Sequence, residues 1–106
     1  MDHRWGDRIE IDLPVLVMDP VTSHRATGRL VNVSLNGALI SGSPESHVGA
    51  RIQVSIRVPS SHTASTAVID AYMVRKADPG FAIQWAHFAP AEIVALVRGF
   101  RSHSTS

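Results

Sequence analysis

The sequence predicts an all-β domain of six or seven short strands, arranged as a sandwich or small barrel, with one helix at its C-terminal end. Three observations predict it. Apolar and polar residues alternate over short runs between residues 9 and 85, the pattern of strands with one buried face. Turn residues (Asp19-Pro20, Asn36-Gly37, Asp78-Pro79-Gly80) punctuate those runs at short intervals, as they do in sandwiches and small barrels. After Trp85 the period changes: Ile93, Leu96, Val97 and Phe100 fall at i, i+3, i+4 and i+7, one apolar face of a helix.

Taken in order, Ile9, Ile11 and Leu13 alternate with Glu10 and Asp12 and make the first strand. Pro14 interrupts it and predicts an edge strand or a bend, because proline donates nothing to a ladder, before Val15 to Met18 continues. Asp19-Pro20 and Thr22-Ser23 read as a turn. A second strand covers Gly28 to Ser34, with Leu30 alternating against Arg29 and Val31. Asn36-Gly37 predicts a two-residue hairpin in which both central positions favour φ > 0, and Ala38 to Ser41 returns. Gly42 to Gly49 is a loop containing Pro44. The clearest alternation follows: Ile52, Val54, Ile56 and Val58 face one way, Arg51, Gln53, Ser55 and Arg57 the other. Pro59 to Ser65 is a polar loop, Thr66 to Arg75 a strand, Asp78-Pro79-Gly80 a turn, and Phe81 to Trp85 the last strand. Pro90 stands near the first turn of the helix, where a missing N–H is tolerated. Such a helix either plugs an open barrel end or covers a sheet face, and residues 102–106 read as a flexible tail.

At 106 residues the chain fits one domain with a modest core, and 44% hydrophobic against 18% charged residues is a globular composition. No apolar run approaches a membrane span, no signal-peptide pattern opens the chain, and no cysteine is present, so the expectation is a cytoplasmic protein without membrane insertion. A net charge of +1 is too small for a general nucleic-acid binder, so no DNA or RNA partner is expected. Nine arginines stand against the single Lys76. Either the base composition of the source genome explains this, or the chemistry does, arginine offering a planar fork for phosphates and purine edges. Catalysis finds no support. The six histidines are scattered and never recur at a metal-ligand spacing. Glu10 and Asp12 read as a solvated strand face, and no phosphate-cradling glycine loop occurs. Neither a catalytic site, nor a metal, nor a cofactor is expected.

Two stretches remain. Arg4-Trp5-Gly6-Asp7-Arg8 sets two guanidinium groups four positions apart, ahead of the first strand. The spacing recurs at Arg25 and Arg29, which a charged turn or exposed strand face explains, so placement before the first strand separates the copies. Asn32-Val33-Ser34-Leu35-Asn36-Gly37 sets an amide and a hydroxyl at i and i+2, on one side of a strand, as a small polar platform. Gly37 leaves the backbone beside it open to close approach.

In that order and at that separation, the two stretches resemble the paired signature of PilZ domains, bacterial receptors for the second messenger cyclic di-GMP. The resemblance covers nearly the whole chain. It includes the hairpin after the second stretch, Gly49-Ala50-Arg51 leading into an alternating strand, a later strand ending Val74-Arg75, the Gly80 to Trp85 strand and the closing helix. Trp85 stands where the family more often has phenylalanine, a departure expected to affect core packing only. The resemblance implies a six- to seven-stranded antiparallel β-barrel closed by one α-helix, with residues 1–8 as a mobile ligand clamp and residues 9–101 as the barrel with its helix. It implies that Arg4 and Arg8 grip phosphates and guanine edges, that Asn32 and Ser34 bond the other guanine, and that Gly37 permits close packing. His3 and Trp5 are secondary candidates for ligand contact; Trp5 either stacks on the ligand or anchors the segment to the barrel. The implied output is a switch in which ligand orders the N-terminal segment and changes the surface offered to an unidentified downstream protein. The alternative is a PilZ-like adaptor that has lost the nucleotide and acts through protein contacts, as in type IV pilus assembly. A barrel for single-stranded nucleic acid would need aromatic residues over one sheet face and a basic groove.

Overall fold

The computed structural model of the chain describes residues 8–42, 46–58, 65–77 and 80–104. Six strands follow one another: β1 (Ile9–Met18), β2 (Arg25–Val33), β3 (Gly37–Ser41), β4 (Arg51–Val58), β5 (Ser65–Ala77) and β6 (Gly80–Trp85). They close a barrel in the order β1-β2-β3-β6-β5-β4, with every neighbouring pair antiparallel and β4 returning to β1. Closure removes the sheet edges that a six-strand open sheet would expose. The alternation that marks β4 in the sequence is obeyed in space: Ile52, Val54 and Ile56 are fully buried, while Arg51 and Arg57 are exposed.

Pro14 neither ends β1 nor makes it an edge strand. The strand runs through it for ten residues, with Pro14 exposed opposite Arg29 of β2. Pairing with β4 begins only at Val15, so proline falls where β1 has a neighbour on one side. β2 starts at Arg25, earlier than its alternation suggested, because Arg25, Ala26 and Thr27 pair with Met18, Val17 and Leu16. A register shift between Leu30 and Asn32 then sets Val31 out as an extra residue against β3. It lets Leu30 and Val33, three positions apart, both enter the core, and leaves Asn32 half-buried.

The inward residues meet in one cluster that includes Leu30, Ile40, Ile52, Ile56, Met73, Phe81 and Trp85. The helix α1 (Ala91–Ser104) adds Ile93, Leu96 and Val97 to that same cluster. A helix can reach the interior of a closed barrel only at an open end, so α1 plugs one. The side chain of Phe100 lies outside the described residues. Pro90 precedes the helix, and its carbonyl accepts the first intrahelical bond, from Val94 N–H at 2.9 Å. Glu92 in the first turn meets the positive end of the helix dipole. The helix continues to Ser104, into the segment expected as a tail, and residues 105–106 lie outside the described residues. Among the described residues no helix is long and apolar enough to cross a membrane.

Candidate functional site

The β2–β3 hairpin is present, but its turn is built differently from the Asn36-Gly37 expectation. Its central residues are Leu35 and Asn36, flanked by Ser34 and Gly37. Among the described residues, positive φ occurs at Ser23, Gly42, Gly49 and Ala89, and so at neither Asn36 nor Gly37. Glycine is needed at position 37 for a different reason. It opens β3 directly against β6, and a Cβ there would land on the Ile83 carbonyl oxygen. Gly80 stands in the same relation to Ile40 at the other end of that strand pair.

Ser34 organises the turn. Its N–H donates to the Gly37 carbonyl at 2.8 Å. The Gly37 N–H does not simply return to the Ser34 carbonyl; it donates to the Ser34 hydroxyl at 3.2 Å, as does Asn36 N–H at 3.2 Å. The hydroxyl in turn donates to the Gly37 carbonyl at 3.3 Å. A serine side chain here does the work of a backbone carbonyl, as in other serine turns. The Ser34 carbonyl accepts the Trp85 indole N–H at 3.0 Å. Leu35 and Asn36 carbonyls accept from Ala89 N–H (2.9 Å) and Trp85 N–H (3.0 Å). Every carbonyl from Ser34 to Gly37 is therefore bonded within the chain, as buried backbone acceptors require. Ser34 is 2% exposed, so its hydroxyl is engaged in holding the turn and does not project beside the Asn32 amide. The i, i+2 rule stops at the strand end, and Ser34 lies one residue past it.

The two sequence stretches meet at Asn32. Arg8, immediately before β1, donates from Nη1 to the Asn32 side-chain oxygen at 2.8 Å. The register explains the meeting, since Glu10 of β1 lies opposite Asn32 of β2. Among the described residues, the bond leaves the Asn32 NH2 and the other guanidinium N–H groups of Arg8 as further donors. Arg4, His3 and Trp5 lie outside the described residues, as does the rest of the expected clamp segment except Arg8.

Sequence reasoning missed what stands beside the turn. Gln84 of β6 lies opposite Gly37, and Tyr72 of β5 lies opposite Gln84; both are exposed. These neighbours come from the β3–β6 pairing of strands far apart in the chain, which no local pattern announces. Arg51 and Asp70 form an ion pair (2.8 Å) one strand further, and the Arg51 hydrogen bond holds Asp70 below the usual carboxylate range.

Other candidates resolve into structure. Arg29 bonds Asp12 across β1 and β2, an exposed ion pair that accounts for one arginine of the duplicated spacing. Asp19 was legible only as a turn residue; its buried carboxylate accepts from Val21 N–H (2.9 Å), Thr22 N–H (3.4 Å) and the Ser46 hydroxyl (3.1 Å), pinning the β1–β2 turn to the loop before β4. The Val21 backbone bond is the main cause of its lowered pKa. No group of His, Asp and Glu able to hold a metal occurs among the described residues. A groove of about 680 Å³ between Pro14, Leu16, Thr27, Arg29, Ser55 and Arg57 lies on the outer wall toward the other end of β2 from Asn32.

The family model described as the PilZ domain matches residues 2–101. No curated protein matches the chain. Among solved structures, the chain is similar to the Bacillus subtilis inhibitor of motility (MotI/DgrA), with TM-score 0.75 and 15% identity over 100% of this chain. It spans 54% of that protein, about half its length. It is also similar to the PilZ domain of CeSA from a cellulose-synthesising bacterium, with TM-score 0.65 and 20% identity over 88% of this chain and 93% of that one. At these identities the likeness is one of fold.

Proposed function

Because the chain belongs to the PilZ domain family, we propose that it is a bacterial, cytoplasmic receptor for cyclic di-GMP that signals to a partner protein. The observation that carries this reading is the Arg8–Asn32 bond, which joins the arginine stretch to the Asn32–Gly37 stretch at one surface. The chemistry suits the ligand. An arginine fork bonds guanine O6 and N7 together or a phosphate bidentately, and the Asn32 NH2 adds a neutral donor. Arg4, with His3 and Trp5 beside it, would close over the dinucleotide from the other side, and the ordering of that segment is offset by the arginine contacts. The closed segment is the signal: it changes the surface beside the turn that a downstream protein meets. An inhibitor of motility among the similar structures fits an output of this kind. The role requires binding and a conformational change, not catalysis.

Calorimetry with cyclic di-GMP on the wild type, Arg4→Ala and Asn32→Ala tests the reading. Each charge-assisted contact is worth about 1.5–3 kcal/mol, so losing Arg4 should weaken binding by roughly tenfold to more than a hundredfold. Absence of binding in the wild type would sink the receptor reading and leave the nucleotide-free adaptor in its place.

A further inference from the structure

We infer that Trp85 is a positioning residue for the binding turn, acting through Ser34; the inference rests on the cyclic di-GMP reading above. Trp85 ends β6, is 2% exposed, and grips the turn twice, by its backbone N–H on the Asn36 carbonyl and its indole N–H on the Ser34 carbonyl, each at 3.0 Å. A residue required only to fill the core would need no donor; phenylalanine would supply the apolar bulk without one.

What packing leaves unexplained is the exchange of partners at Ser34. With the indole on the carbonyl, Gly37 N–H bonds the hydroxyl, which collects Asn36 N–H as well. Without the indole, the Ser34 carbonyl is a buried acceptor in need of a donor. The Gly37 amide is the donor at hand, in the ordinary turn arrangement. Drawing that amide off the hydroxyl turns the peptide planes at Leu35 and Asn36, and with them Ser34 and the end of β2 at Val33, next to Asn32. Trp85 therefore selects between two hydrogen-bond arrangements of one turn. The arrangement it selects holds Asn32 where Arg8 meets it, before any ligand arrives. Trp85 itself, buried behind the turn, touches no ligand.

The test replaces Trp85 by 3-benzothienylalanine, which keeps the fused-ring shape and exchanges the N–H for sulfur, with Trp85→Phe as a second variant. Cyclic di-GMP affinity is read by calorimetry and the Gly37 amide by NMR, in the wild-type and the Ser34→Ala backgrounds. The expected result is about tenfold weaker binding, the scale of one buried hydrogen bond. The Gly37 amide moves, the amides of Leu30 and Ile40 stay in place, and no further loss appears in the Ser34→Ala background, since both changes break one linkage. Unchanged affinity with an unmoved Gly37 amide in the sulfur analogue would overturn the inference, as would losses that simply add in the double variant. If the wild type binds no cyclic di-GMP, the receptor reading falls by itself. The Gly37 amide then decides the Trp85–Ser34 linkage: moved, it stands; unmoved, it falls.

Discussion

Replacing Ser34 by alanine should cost the protein stability as well as ligand, and the structure sets the size of the loss. The hydroxyl accepts from two backbone amides and donates to one carbonyl, at 3.2, 3.2 and 3.3 Å. The Gly37 carbonyl keeps the Ser34 N–H, so its loss matters little. The Gly37 amide is buried and left without its acceptor, whereas the Asn36 amide belongs to an exposed residue and its bond is only part-buried. A buried unsatisfied N–H is worth about 1–3 kcal/mol, and bonds this long belong in the lower half of that range. Together the two amides give about 2 kcal/mol, a shift of roughly 10 °C in the melting midpoint of a domain this size. Asn32→Ala is the contrast: among the described residues its side chain hydrogen-bonds the exposed Arg8, so stability should change by less than about 0.5 kcal/mol while binding falls. Thermal and urea unfolding of the two variants read both numbers. A Ser34→Ala variant as stable as wild type would refute the claim that the hydroxyl organises the turn.

Further outcomes follow from single positions. Gly37→Ala puts a Cβ onto the Ile83 backbone oxygen, which no side-chain movement relieves; unfolding experiments should show a loss of at least about 3 kcal/mol or no folded protein. Ala89 holds a left-handed φ of 50° while its N–H bonds the Leu35 carbonyl. Ala89→Gly relieves a strain of roughly 1–2 kcal/mol against about 0.5–1 kcal/mol of added chain entropy, so a small net gain is expected in denaturant midpoint, and a clear loss would show that the methyl group packs. The Asp19 carboxyl titrates below its ordinary value near 3.8 in the folded chain. The unfolded chain therefore takes up the proton first, and Asp19 contributes stability that is complete above that value and disappears as the pH falls through the lower folded one. Asp19→Asn should accordingly lie below wild type at pH 7, with the gap narrowing under pH 4; a constant gap would place its role elsewhere.

Much of the fold is legible from side-chain pattern, because alternation is imposed by burial itself. Arg51 to Val58 and the helix face at Ile93, Leu96 and Val97 are read correctly for that reason. What pattern cannot carry is pairing between distant strands. The β3–β6 neighbourhood explains why Gly37 is glycine, why Trp85 carries a donor, and why Gln84 and Tyr72 stand beside the turn. Trp85 was expected to matter for packing alone, since a hydrogen bond to a residue 51 positions away leaves no local trace. Ser34 shows the complementary difficulty: its presence in the motif is visible, but only the end of β2 at Val33 reveals that its hydroxyl turns inward. The bulge at Val31 shifts Asn32 out of simple alternation in the same way.

Under the proposed function, Arg8 and the Asn32–Gly37 turn form one receptor surface for cyclic di-GMP. Titrating the 15N-labelled full chain with the dinucleotide tests it most directly. Saturable shifts are expected at Arg8, Asn32 and the amides of Leu35 to Gly37, together with increased amide-exchange protection of residues 3–9. Shifts confined to the groove around Thr27, Ser55 and Arg57, or no shifts at saturating ligand, would contradict it.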